Sequence, residues 1–310
     1  MFRYTLRQVE YFVAVADHGS LSAAADVCRV SQAGLSLAVT ELEKAVGTQL
    51  LVRHKAKGAT LTSAGRRFLT DARALLRQAG ELQGTITERQ GELAGPLAIG
   101  CYTTLSAFWI PAMTAGFAAP NPRLSLAITE GAPGELQEQL LDGRLDAVLT
   151  HTRHVVAGLQ TQVIAGGRPY ILLGANHPLA ARRKIPLREL AGEDMVLLDI
   201  PSVRENQLPN LRASGLDPKI VWRSTSFEAV RGMVARGLGY TVLVQRPPLD
   251  LSYEGLPLAC VEIDGEIGHS DICFAYPGGQ RLTMRLQALM DFCVEEARRS
   301  GPPGRASSTS

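Results

Sequence analysis

The chain has 310 residues, 45% of them hydrophobic and 20% charged, which is enough for two or three folding units with sizeable cores. Its apolar runs fall well short of the ~18 residues a membrane span needs, and the stretch Met1–Gln8 carries neither a signal-peptide nor a lipidation pattern, so a cytoplasmic location without a membrane partner is expected. The net charge of +2 hides a local excess: Arg53, Lys55, Lys57, Arg66, Arg67, Arg73 and Arg77 face one acid, Asp71, a footprint expected of a phosphate-contacting surface.

Leu6, Val9, Phe12, Val13 and Ala16 recur at helical spacing, which predicts an amphipathic helix from Thr5 to Asp17 ended by Gly19. Ser20 is placed to cap a short Ala-rich helix to Cys28, and Ser31 to cap a third helix running to about Val46. Two short helices joined by the tight Arg29-Val30 link suggest a helix-turn-helix. In the third helix Leu35, Ala38, Val39, Leu42 and Val46 form the inner face, so Gln32, Ser36 and Thr40 stand in an outward row of small polar groups suited to base edges in a major groove. Gln49 to Arg53 and Ala59 to Thr62 read as two strands joined by the basic hairpin His54-Lys55-Ala56-Lys57-Gly58, a wing whose cations suit phosphates.

Thr62 is placed to cap a long fourth helix, in which Phe68, Ala72, Leu75, Ala79, Leu82 and Ile86 alternate by four and three. That seam predicts pairing with the same helix of a second chain; packing on the chain's own domain is the alternative.

The pattern Ala23-Ala24-Ala25, Val30-Ser31-Gln32-Ala33, Leu35-Ser36, Leu42-Glu43, Gly47, Leu50-Leu51, Arg53 and Leu61-Thr62-Ser63-Ala64-Gly65 resembles the LysR-type transcriptional regulator family. Leu51 and Leu37 depart from the family pattern, the first in packing and the second beside the base-contacting row. Asn176-His177-Pro178-Leu179-Ala180 and Gly237-Leu238-Gly239-Tyr240 look like landmarks of the family's sensor domain. The resemblance implies a multi-domain chain: an N-terminal winged helix-turn-helix, a long dimerisation helix, then a two-lobed α/β domain of periplasmic-binding-protein type. It implies a homodimer or homotetramer on double-stranded DNA, with a recognition helix at 31–46, and contact with RNA polymerase. Ser31, Gln32, Ser36, Thr40, Arg53, Lys55 and Lys57 are the expected DNA-binding residues.

After Gly95-Pro96 the alternation of strands and helices predicts two α/β lobes. The expected borders are 1–62 for the DNA-binding domain, 63–92 for the linker helix, and 93–299 for the effector domain, with lobe I at 93–165 and 269–299 and lobe II at 166–268. A disordered tail is expected at 300–310. Gly166-Gly167, Gly265 and Gly268 are hinge candidates.

Ligands of open α/β sheets bind beyond the carboxyl ends of strands. Those positions hold Thr103, Thr104, Thr129, His151, Ser202, Arg204, Phe227 and Thr241, a set suited to a small organic anion as effector. His151-Thr152-Arg153-His154 lacks further ligands for a metal site, so neither metal nor cofactor is expected. The chain carries no Gly-rich phosphate loop, nucleophile elbow or paired-carboxylate constellation, which leaves an enzyme as the less expected reading. Five cysteines, Cys28, Cys101, Cys260, Cys273 and Cys293, lie apart without CxxC pairing and read as free thiols. A redox sensor switched through Cys260 and Cys273 is a third reading.

Overall fold

In the computed structural model of the chain, residues 3–54, 58–88, 92–265, 267–268, 271–279 and 282–299 are described. Lys55, Lys57, the tail at 300–310 and the side chains of Leu82 and Ile86 lie outside the described residues.

Three helices open the chain, α1 (Leu6–His18), α2 (Leu21–Cys28) and α3 (Gln32–Val46), and each begins where a hydroxyl takes up a helix N–H that has no partner within the helix. Thr5, Ser20 and Ser31 accept from Gln8 N (3.2 Å), Ala23 N (3.0 Å) and Gly34 N (3.1 Å). Gly19, Arg29 and Gly47 close the three helices in the left-handed region. Their apolar stripes meet in one core that includes Val9, Phe12, Ala24, Leu35, Val39 and Leu42. Strands β1 (Leu51–His54) and β2 (Gly58–Leu61) pair antiparallel as the wing, with Leu51 opposite Leu61. Thr62 Oγ1 accepts from Gly65 N at 2.9 Å and opens α4 (Ser63–Glu88). A Cβ at Gly65 would lie 2.0 Å from the Leu50 carbonyl oxygen, so the start of α4 meets the wing closely only through glycine.

The expected seam on α4 divides. Phe68 packs edge-on against Phe12 and Tyr4, with centroids at 5.4 and 6.5 Å, and Ala72 is buried in the same core. These two positions are covered by the chain's own α1 and not by a second copy, because the apolar face of α1 runs beside the first turns of α4. Leu75 is 38% exposed and Ala79 half-buried.

The remaining elements are β3 (Gly95–Tyr102), α5 (Thr103–Ala112), β4 (Leu124–Gly131), α6 (Pro133–Leu141), β5 (Ala147–His151), β6 (Leu159–Ala165), β7 (Tyr170–Gly174), β8 (Lys184–Ile185), β9 (Asp194–Leu198), α7 (Leu208–Ala213), β10 (Lys219–Ser224), α8 (Phe227–Ala235), β11 (Thr241–Leu243), β12 (Leu258–Ile263), β13 (Ile272–Pro277) and α9 (Met284–Arg299). Two stretches wind more widely than an α-helix: Met113–Ala118 follows α5 and Val203–Gln207 precedes α7 as π-helical turns.

One sheet has the order β4-β3-β5-β13-β6, another β11-β7-β12-β8, and β9 pairs parallel with β10. Both β11 and β12 run antiparallel to β7, so the second sheet is mixed. The chain forms two compact units, Met1–Gly100 with Thr114–Val148 and Tyr276–Leu289, and Cys101–Met113 with Leu149–Ala275 and Met290–Ser310. These units cut across the expected borders at 92/93 and 165/166, because β3, β5 and β13 each contribute residues to both.

Candidate functional site

On α3, Gln32 is exposed, while Ser36 and Thr40 are half-buried beneath an arginine from the wing. Arg53 Nη1 donates to Ser36 Oγ at 2.8 Å, and its Nη2 donates to Thr40 Oγ1 at 2.8 Å. Thr40 in turn donates to the Ser36 carbonyl at 2.9 Å. Glu43 holds the other side of this network: it lies 3.7 Å from Arg53 Nη2, and its Oε1 accepts from Leu50 N and Leu51 N at 2.8 and 2.9 Å. The expected row of readers is thus, for two of its three members, the seat of a guanidinium. Ser31 spends its hydroxyl on the helix cap. Leu37, singled out in the sequence as a departure beside that row, is 62% exposed and presents a large apolar side chain on the outer surface of α3.

A cavity of about 60 Å³ lies within the second unit. Tyr102 at the end of β3, Thr104 in the first turn of α5 and His151 at the end of β5 line it, with Arg153 and His154 from the following turn. Ser202, Gln207 and Asn210 join from the segment after β9, and Gln245 from the segment after β11, over an apolar floor of Leu198, Ile200, Val203 and Leu243. The Tyr102 hydroxyl and Ser202 Oγ are 2.7 Å apart, and the Gln245 amide meets His151 Nε2 at 2.9 Å. The Tyr102 ring stands edge-on to His154 and His151 at 5.5 and 6.2 Å.

Burial sets the electrostatics. Desolvation first, then His151 and Arg153, push the His154 imidazole down to about 4, so it is neutral at physiological pH. Burial lowers Arg153 too, but from a starting value so high that it remains a cation. The Tyr102 phenol is raised by burial against the hydrogen bonds it shares with Ser202 and Thr104. Among the described residues that line it, Arg153 therefore supplies the one fixed positive charge, beside hydroxyls, amides and the neutral His154 ring.

Of the expected ligand residues, Thr104, His151 and Ser202 come together here. The others are placed elsewhere. Thr129 is exposed on β4 in the first unit. Thr103 is exposed at the start of α5, one position off the lining face. Arg204 is drawn to Asp199, where Nη1 donates to Oδ1 at 2.7 Å. Phe227 packs edge-on against Phe108 at 5.8 Å, and Thr241 is fully buried in β11. Tyr102, Gln207, Asn210 and Gln245 were missed; the side chain of Gln207 is itself pinned, donating to the Val242 carbonyl at 2.7 Å.

The cysteines are free thiols. Cys260 lies on β12 and Cys273 on β13, in different sheets, and burial pushes each up to about 12. Among the described residues no group of three or more His, Cys, Asp and Glu could hold a metal ion, and no helix is long and apolar enough to cross a membrane.

Residues 6–66 match the family described as bacterial regulatory helix-turn-helix protein, lysR family, and residues 90–298 match the LysR substrate binding domain. The DNA-binding transcriptional dual regulator OxyR of Escherichia coli is 32% identical over 77% of this chain and 78% of its own length. The hydrogen peroxide-inducible genes activator of Haemophilus influenzae is 31% identical over 81% of this chain and 82% of its own. Among solved structures, HinK, a LysR family transcriptional regulator from Pseudomonas aeruginosa, covers 95% of this chain and 98% of its own at 32% identity and a TM-score of 0.62. A full-length OxyR variant from the same organism shares the fold, with a TM-score of 0.72 over 99% of both chains at 24% identity. The chain belongs to the LysR family and is a DNA-binding transcriptional regulator composed of a helix-turn-helix head and a substrate-binding, two-lobed α/β domain.

Proposed function

We propose that α3 enters the major groove and that the cavity of the second unit takes a small organic acid whose binding alters DNA affinity. Arg153 carries the ligand half of this reading. A half-buried guanidinium beside hydroxyls and a neutral imidazole suits a carboxylate, which arginine holds in paired hydrogen bonds. A cavity of about 60 Å³ has room for only a handful of water-sized groups, so the acid is short. No separate cofactor is needed for this response.

For the DNA half, Gln32 supplies an amide for adenine and Leu37 an apolar surface for a thymine methyl. Arg53, with Lys55 and Lys57 of the wing, supplies phosphate contacts, and Ser36 and Thr40 position Arg53. The working form is a homodimer or homotetramer, supported by Leu75 left exposed on α4, and as a transcription regulator it works beside RNA polymerase.

The ligand reading is tested by thermal shift of the full chain against short carboxylates and their neutral amides. A bound acid raises the melting temperature, and Arg153→Gln is expected to abolish that rise; stabilisation by amides alone would refute it. For DNA, Gln32→Ala is expected to reduce discrimination between an enriched duplex and random DNA about tenfold. Equal loss on both duplexes would remove Gln32 from base reading.

A second reading, peroxide sensing, is favoured by the names of the relatives. Thiols held near 12 are poor nucleophiles at neutral pH, which weighs against it. A peroxide response of DNA binding that is lost in Cys260→Ser or Cys273→Ser would restore it.

A further inference from the structure

Arg73 and Arg77, one turn apart on α4, reach out of their helix to hold the turn between α6 and β5. Arg73 is 8% exposed; its Nη1 donates to the Asp142 carbonyl at 2.7 Å, and its Nη2 pairs with Asp17 near the end of α1. Arg77 Nη1 donates to the Gly143 carbonyl at 2.7 Å, and its Nε lies 3.8 Å from Asp146 Oδ1. These carbonyls lie just past the last turn of α6, where helical hydrogen bonding runs out and the dipole is negative. The approach depends on Gly143, whose φ is +71°. A Cβ there would sit 2.8 Å from Arg77 Nη1 and 3.2 Å from Arg73 Cβ. A buried arginine is costly unless its hydrogen bonds are met, so Arg73, with the half-buried Arg77 engaged on the same turn, marks a specific docking contact.

That turn leads straight into the strands of the pocket. Asp146 clasps β3, accepting from Ala98 N at 2.8 Å through Oδ2 and donating its own N–H to the Ala98 carbonyl at 2.7 Å. The strand that begins beyond it, β5, is buried along its whole length and ends at His151; β3 ends at Tyr102. Both end residues line the cavity. A further open space of about 700 Å³, lined by Val13, Leu69, Leu76, Pro96 and Arg285 among others, lies beside Arg73 and Arg77.

We propose that Arg73, Arg77 and Gly143 form an intrachain latch through which the pocket and the DNA-reading helices sense each other. Arg73 and Arg77, expected from the sequence among the phosphate-facing cations, spend their guanidiniums on this turn and on Asp17 and Asp146 instead, so they act as positioning residues and not as phosphate contacts. This inference rests on the assignment of α3 and the cavity given above.

Linkage is reciprocal, so DNA itself serves as the probe and no effector is required. A duplex enriched from random-sequence DNA by the full-length chain is added to wild type, Arg77→Ala and Gly143→Ala, and amide exchange is followed at 149–153. In wild type the exchange rate is expected to change at least threefold. In the variants DNA affinity is expected to stay within threefold while the change at 149–153 disappears. If Arg77→Ala fails to keep α1 to α3 protected, Gly143→Ala decides. A change that persists in a folded variant, or that is missing in wild type, overturns the latch. Failure of the wild-type chain to enrich any DNA is seen before the variants are made; it overturns the proposed function and this inference with it.

Discussion

The DNA-binding head and the ligand pocket are assembled in contrasting ways. In the head each helix carries its own start signal three residues ahead of its target: Thr5 for Gln8, Ser20 for Ala23, Ser31 for Gly34 and Thr62 for Gly65. The pocket draws its walls from six separated segments, and its polar groups are fixed by partners far along the chain, such as Tyr102 by Ser202 and Gln245 by His151. Local signals build the part that reads DNA, whereas the sensing part exists only once the sheets have formed. The head is therefore expected to tolerate the loss of single caps, and the pocket to fail through its long-range pins.

The largest effect should come from a long-range pin in the unit that holds the pocket. Arg231 on α8 is 1% exposed, donates to the Leu251 and Leu249 carbonyls at 2.6 and 3.3 Å, and pairs with Glu228 at 3.0 Å. Arg231→Ala strands those carbonyls and leaves Glu228 uncompensated, so a loss of about 3–5 kcal/mol is expected in denaturant unfolding. A loss under about 1 kcal/mol would break the contrast.

A smaller effect is expected from a pin within the head. Glu43→Ala removes the acceptor of Leu50 N and Leu51 N and a neighbour of Arg53. A cost of about 2 kcal/mol follows from two part-buried amides left unmet, measurable in the same unfolding experiment and accompanied by weaker DNA binding. Capping substitutions such as Ser20→Ala should cost less, about 1 kcal/mol.

The last effect is confined to acid pH and sharpens the pocket's side. The folded-state value for His154 is near 4, below its ordinary 6.5. The unfolded chain therefore takes up a proton first as pH falls, and stability is lost between about 6.5 and 4. Wild type should lose melting temperature across that window more steeply than His154→Gln; parallel curves would contradict the assignment.

The same contrast decides what could be read from the sequence. Hydroxyl caps and the apolar stripe of α1 are periodic and local, and their helices were legible to within a residue or two. The rule that ligands lie beyond strand ends found Thr104, His151 and Ser202. It missed Gln207 because a π-helical turn shifts which residues of that segment face the pocket, and Gln245 because it follows a strand of only three residues. Thr241 was misplaced because it opens β11 instead of following it, and its side chain is fully buried. Strands β6, β8, β12 and β13 passed unread. Their pairing partners, not their own alternation, make them strands. On α4 the heptad spacing was real, but Phe68 and Ala72 spend it within the chain.

Arg53 resting on Ser36 and Thr40 has a fixed address before any nucleic acid arrives. Under the reading proposed above, those hydroxyls hold the guanidinium ready for a phosphate, so little of its rotamer freedom is left to lose on binding. Because phosphate contacts carry no sequence information, removing either hydroxyl is expected to weaken the hold on every duplex alike and to leave the preference among sequences where it was.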